Sequence, residues 1–84
     1  MERTIATIRK NIREVLKVEL TNYRGYDLIA LRLWIEPDDG GGQVPTRKGI
    51  NVAIRLLPAL RAALARAEID ARAAGLMQDD GEVS

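Results

Sequence analysis

The sequence predicts an α+β domain, a four-stranded antiparallel sheet followed by one C-terminal helix in the order β-β-β-β-α. Apolar and polar residues alternate across residues 14–23, and a second strand-like run, mostly apolar, spans 27–36, with Gly25 between the two. A further alternating run, INVAI at 50–54, follows a segment dense in turn-forming residues. From Leu57 the apolar spacing changes to that of a helix and holds as far as Gly75.

In EVLKVELTNY, Leu16, Val18 and Leu20 fall on one side of a strand, and Lys17, Glu19, Thr21 and Tyr23 fall on the other. Tyr23-Arg24-Gly25-Tyr26 then makes a short hairpin, because glycine takes a positive φ at no steric cost. On the returning strand Ile29, Leu31, Leu33 and Ile35 form the core face, while Tyr26, Leu28, Ala30, Arg32 and Trp34 share the opposite one.

Pro37-Asp38-Asp39-Gly40-Gly41-Gly42 predicts an exposed, mobile loop. Residues 43–45 are expected to form a short edge strand, residues 46–49 a basic turn, and residues 50–54 the last strand, with Ile50, Val52 and Ile54 pointing inward. Near the start, TIATI suggests a brief additional strand.

Within the helix, Leu57, Leu60, Ala63, Leu64, Ala67 and Ala71 lie in one stripe, and Ala62, Ala65 and Ile69 lie opposite. Pro58 is tolerated only in the first turn, and Gly75 suits the C-terminal cap. Two apolar faces suit a helix that covers the sheet with one side and a second subunit with the other. Leu60, Leu64 and Ile69 are the residues assigned to that dimer contact. Residues 1–75 thus make one domain, and residues 76–84, short, acidic and without periodicity, are expected to be a disordered tail.

A chain of 84 residues buries little more than half of its unfolded surface, so a partner subunit would help to stabilise it. The protein contains neither cysteine nor histidine, which removes disulfides, thiolate metal sites and the commonest acid-base and zinc-binding side chain. No cofactor or metal is expected, and the scattered carboxylates, lysines and hydroxyls form no catalytic group. Asp38 and Asp39 lack the spacing and closing glutamate of an EF-hand, and the three glycines lack the ending of a phosphate-binding loop. With no secretory signal and no membrane-length apolar run, the expected location is the cytoplasm.

The net charge of +1 is unevenly placed: residues 1–56 hold 10 Lys/Arg against 7 Asp/Glu, and the remainder holds 3 against 5. The positive half is the sheet. Away from its aliphatic side, Lys17 shares a face with Tyr23, and Arg32 shares one with Tyr26 and Trp34. Cations that track phosphates and rings that stack on unpaired bases are what single-stranded nucleic acid requires, although the same residues also suit a protein interface.

The order YRGYDLIALRLW, EPDDG, VPTRKGI, LLPALRAAL resembles the positive cofactor 4 family of transcriptional coactivators, in its compact bacterial form. The resemblance runs from about residue 5 to residue 67, and its most specific parts are the aromatic-basic-Gly turn and the Pro-x-Arg-Lys-Gly-Ile segment. It implies a curved sheet, a homodimer whose sheets form channels for single-stranded DNA, action alongside the transcription machinery near the nucleoid, and no catalysis. RNA is the alternative ligand. By position, Tyr23 matches a base-stacking aromatic, Arg24 and Arg32 match strand cations, and Arg47 and Lys48 match the basic turn. The sequence departs from the pattern where Ile35 replaces the second of two neighbouring aromatics, where Val44 stands in place of a cation, and where Ala53 stands in place of a helix-capping serine. Lys17 and Trp34 complete the candidate surface.

Overall fold

The computed structural model describes residues 2–77. Four strands, β1 (Arg3–Arg9), β2 (Glu14–Tyr23), β3 (Tyr26–Ile35) and β4 (Val44–Ala53), form one antiparallel sheet in sequential order. A 3-10 turn (Ile54–Leu56) leads into the helix α1 (Leu57–Ala73). The expected class and element order are those observed, but the four strands are not drawn from quite the expected segments.

TIATI belongs to the full edge strand β1, which pairs along β2 with one bulge at Ile5. The expected edge strand, basic turn and last strand are one continuous strand, β4. Its pairing with β3 jumps from Arg32↔Gly49 to Trp34↔Pro45, so Thr46, Arg47 and Lys48 together face the single residue Leu33. The basic segment is therefore a bulge within a strand, and the direction of the chain does not reverse there. Thr46 holds the bulge: its Oγ1 donates to the Leu33 carbonyl at 2.8 Å and accepts the Lys48 N–H at 3.1 Å. Gly49 is required beside it, because a Cβ there would lie 2.6 Å from the Leu31 carbonyl oxygen and 2.8 Å from the Arg32 Cα.

The hairpin between β2 and β3 forms as expected, with unbroken register from Glu14↔Ile35 to Tyr23↔Tyr26. Both turn residues have positive φ, 53° at Arg24 and 87° at Gly25, the signature of a two-residue type I′ turn. Arginine is an unusual occupant of the first position. Asn22 supports it by accepting the Gly25 N–H at 3.2 Å and donating to Asp27 at 3.0 Å.

The aliphatic face gathers Leu16, Val18 and Leu20 with Ile29, Leu31 and Leu33, and, from β4, Ile50 and Val52. The core is not confined to that face. Among the described residues Val15, Ile29 and Ala30 are the buried apolar side chains, and Val15 and Ala30 belong to the opposite face. The register sets Val15 between Arg9 and Trp34, and Ala30 between Glu19 and Asn51, so longer neighbours shield the smaller residues. Conversely, Ile35 and Ile50, expected to point inward, remain exposed, and Ile54 lies in the 3-10 turn.

Helix α1 begins with proline in its first turn and has no side-chain N-cap; Ala53 precedes the 3-10 turn without a capping bond. It closes with paired bonds from Gly75 N–H to Arg72 O and from Leu76 N–H to Ala71 O, a Schellman arrangement with Gly75 at φ 77°. Leu76 is thus part of the cap, and residues 78–84 of the expected acidic tail lie outside the described residues. No side chain of α1 is buried. Leu57, Leu60 and Leu64 overhang Val18, Ile29 and Leu31 across an apolar cavity of about 290 Å³, while Leu64 and Ile69 are 60% and 62% exposed.

Candidate nucleic-acid interface

Helix α1 leans over the aliphatic face, and among the described residues no helix covers the other face of the sheet. Alternation carries Lys17, Tyr23, Tyr26, Arg32 and Trp34 to that open face, as the sequence predicts. They do not form one cluster. Tyr23, Arg24 and Tyr26 sit at the hairpin tip, whereas Lys17, Arg32 and Trp34 lie about six residues further along, roughly 20 Å away at ordinary strand rise.

In the inner cluster Lys17 and Arg32 are directly opposite across β2 and β3. Like charges so placed repel and destabilise a sheet. Each cation finds its own support. Lys17 Nζ sits 4.2 Å from the centroid of the Trp34 ring, a cation-π contact, and Arg32 Nη1 donates to the Thr46 carbonyl at 3.1 Å. Among the described residues neither is paired with a carboxylate, so the positive charge there is left uncompensated for an anion. Arg47 and Lys48 are exposed on the adjacent β4 bulge, and the Lys48 charge reaches Glu14, where it adds to the lowering of that carboxyl.

Trp34 is half-buried, one face of its ring lies under Lys17, and its indole N–H is buried with no acceptor among the described residues. Lys17 thus covers one face of the ring, and Val15 is its cross-strand neighbour. At the tip, Tyr23 is 59% exposed and Tyr26 71%. The Arg24 guanidinium lies 5.2 Å from the Tyr23 ring centroid, so a cation and a stacking surface occur side by side.

Acidic groups near this face are tied elsewhere. Glu19 accepts the Thr4 hydroxyl at 2.9 Å. Glu36, just beyond β3, accepts two bonds from Arg9 at 2.9 and 3.2 Å and one from Gln43 at 2.9 Å. The Arg9 hydrogen bonds, with help from Gln43, hold its carboxyl down to about 2 from an ordinary 4.5. Asn11, followed by Lys10, lowers the Glu14 carboxyl in the adjoining β1-β2 turn. These bonds clamp the ends of three strands together. Among the described residues no group of three or more acidic, His or Cys side chains is arranged to hold a metal ion.

Sequence reasoning did not find Thr46 or Gly49, whose roles depend on how β3 and β4 meet. It placed Tyr26 on the open face with Arg32 and Trp34, but not beside Tyr23 at the hairpin tip. The signal for Tyr26 was the two-residue turn, which makes the residues on either side of it cross-strand partners on one face.

The sequence matches the family model described as Transcriptional Coactivator p15 (PC4) over residues 10–63. The chain belongs to the PC4 family. Two crystal structures of a PC4 homolog from Burkholderia pseudomallei resemble it. The orthorhombic form has a TM-score of 0.72 and 31% identity, covering 80% of this chain and 89% of the homolog. The tetragonal form gives 0.70 and 31%, covering 81% and 98%. A bacteriophage T5 homolog of the eukaryotic coactivator PC4 shares the fold at a TM-score of 0.59 and 17% identity, covering 89% of this chain and 83% of that one. No curated protein sequence gives a significant match. The protein is thus a compact PC4-like domain of the bacterial kind, and among its described residues no helix is long and apolar enough to cross a membrane.

Proposed function

We propose that this PC4-family protein is a non-catalytic homodimer that binds single-stranded or locally melted DNA with little sequence preference, and assists transcription in the cytoplasm at or near the nucleoid. The observation that carries the reading is the open sheet face, with the opposed pair Lys17 and Arg32 without carboxylate partners among the described residues and the exposed Tyr23 ring beside Arg24, together with Arg47 and Lys48 exposed on the adjoining bulge. Cations along the face meet phosphates irrespective of sequence, and an exposed ring accepts any unpaired base. In a duplex the bases are already stacked and unavailable to it.

Dimerisation is supported by the unfinished burial of the single chain. No residue of α1 is buried against the sheet. Leu60, at the edge of the apolar cavity, and the exposed Leu64 and Ile69 are the helix residues proposed to meet a second subunit.

Fluorescence anisotropy with labelled oligothymidine, the corresponding duplex and oligouridine, each at two salt concentrations, tests the reading. Tight binding to the single DNA strand, weak binding to the duplex and a steep fall with salt are expected. Equal affinity for strand and duplex, or none for either, would sink it, and preference for oligouridine would reassign the ligand to RNA. Light scattering should show a dimer with and without DNA. A stable dimer that ignores every oligonucleotide would favour a protein-interaction module.

A further inference from the structure

The hairpin tip holds a second aromatic ring, Tyr26, beside Tyr23. Tyr26 is 71% exposed, more so than Tyr23, and no hydrogen bond or ring contact engages it among the described residues. It is the direct cross-strand partner of Tyr23, so the two rings project from the same face with Cβ atoms roughly 5 Å apart. Trp34, the remaining aromatic, is occupied beneath Lys17. Free ring surface on the open face is therefore concentrated at the tip.

The tip is also held in place from behind. Asn22 and Asp27 form the next cross-strand pair and point to the opposite face. Their 3.0 Å hydrogen bond and the Gly25 N–H bond to Asn22 fix the turn. Rings carried on a turn fixed in this way need no backbone ordering when a flat ligand settles on them.

We propose that Tyr26 is a second base-stacking residue, and that Tyr23 and Tyr26 together receive two neighbouring unpaired bases while Arg24 meets the phosphate beside them. This rests on the single-stranded DNA reading above and assigns to that reading a residue and a location. Tyr26 contributes ring area and no charge. Its removal weakens binding to bases without altering the number of phosphates neutralised, so the salt dependence of binding stays the same.

Because the chain has two tyrosines, 3-fluorotyrosine labelling yields two fluorine NMR signals, assigned with Tyr23→Phe and Tyr26→Phe. Titration with oligothymidine should move both signals, with saturation at the same DNA concentration. Tyr26→Ala should bind about 5- to 150-fold more weakly with an unchanged salt slope, and Tyr26→Phe should bind like the wild type. On an abasic oligonucleotide of equal length the wild type and Tyr26→Ala should bind alike. Tyr26→Val, which retains strand propensity, guards against a folding effect and should match Tyr26→Ala in affinity. If DNA binds while only the Tyr23 signal moves and Tyr26→Ala keeps its affinity, the assignment of Tyr26 is wrong and DNA binding stands. If the wild type binds no single-stranded DNA, both fail.

Discussion

At the tip of the β2-β3 hairpin two tyrosines are 59% and 71% exposed, and Arg24 rests beside one of them. Further down the same face Trp34 is half-buried under Lys17, and Arg32 is bonded to the β4 backbone. Both regions combine an aromatic ring with cations, so their composition alone does not distinguish them. The difference lies in the strands on either side. The inner cluster is flanked by β1 and β4, and its side chains pack on one another. The tip extends past the last β3-β4 pair, Leu28↔Ala53, and the last β1-β2 pair, Arg3↔Leu20, with Glu2 reaching Thr21 and the Asn22 N–H. An aromatic in the first setting supports the sheet, and one in the second is free to meet a ligand.

Trp34→Ala should give the largest effect. Loss of the ring over Val15 should lower unfolding free energy by about 3 kcal/mol, as measured by urea denaturation. A variant of wild-type stability that binds DNA poorly would instead make Trp34 a contact residue and erase the contrast. Gly49→Ala comes next, at about 2 kcal/mol, since the new methyl group meets the β3 backbone at Leu31 and Arg32. An unchanged midpoint would show that the bulge can shift to make room.

At the tip the effect should move from stability to binding. Tyr23→Ala is expected to cost about 1–2 kcal/mol of affinity for oligothymidine with little change in melting temperature; an altered melting temperature would mean that the tip also supports the fold. Smaller still, Lys48→Ala should weaken binding to all sequences alike and reduce the magnitude of the logarithmic salt slope by about 0.7, the value for one phosphate contact on a single strand.

The smallest expected effect concerns the strand ends beyond the inner cluster. The Glu36 carboxyl has a folded-state pKa lowered to about 2 from 4.5, so its stabilisation is complete above 4.5 and is lost as pH falls toward 2. Glu2 and Glu14 are lowered as well, so the test is the difference between proteins. Glu36→Gln should lose less melting temperature between pH 5 and roughly pH 2 than the wild type. Parallel melting curves would show that the Arg9–Glu36 pair contributes nothing measurable, the common result for exposed ion pairs.

Much of this architecture was legible because it depends on local pattern. Alternation in residues 14–23 and the strand-like run 27–36 assigned the faces, Gly25 marked the hairpin, and apolar spacing after Leu57 marked the helix. The basic segment was misread as a turn because Pro45, Thr46 and Gly49 resemble turn chemistry when only neighbours along the chain are considered. In the sheet, Pro45 lies opposite Trp34 on an edge strand, Thr46 bonds across to Leu33, and Gly49 admits the backbone of β3. Each is a relation between strands distant in sequence.

The sequence by itself determined which residues share a face, where the hairpin turns, and that the sheet carries the positive charge, since these follow from side-chain periodicity and residue chemistry. Only the tertiary structure decided which members of the open face are free. Whether a ring or guanidinium is packed or available depends on the neighbouring strands: Trp34 is covered because Lys17 folds over it, and Arg32 is engaged because the β4 bulge brings the Thr46 carbonyl within 3.1 Å. Tyr23 and Tyr26 remain uncovered because β4 ends its pairing before reaching them.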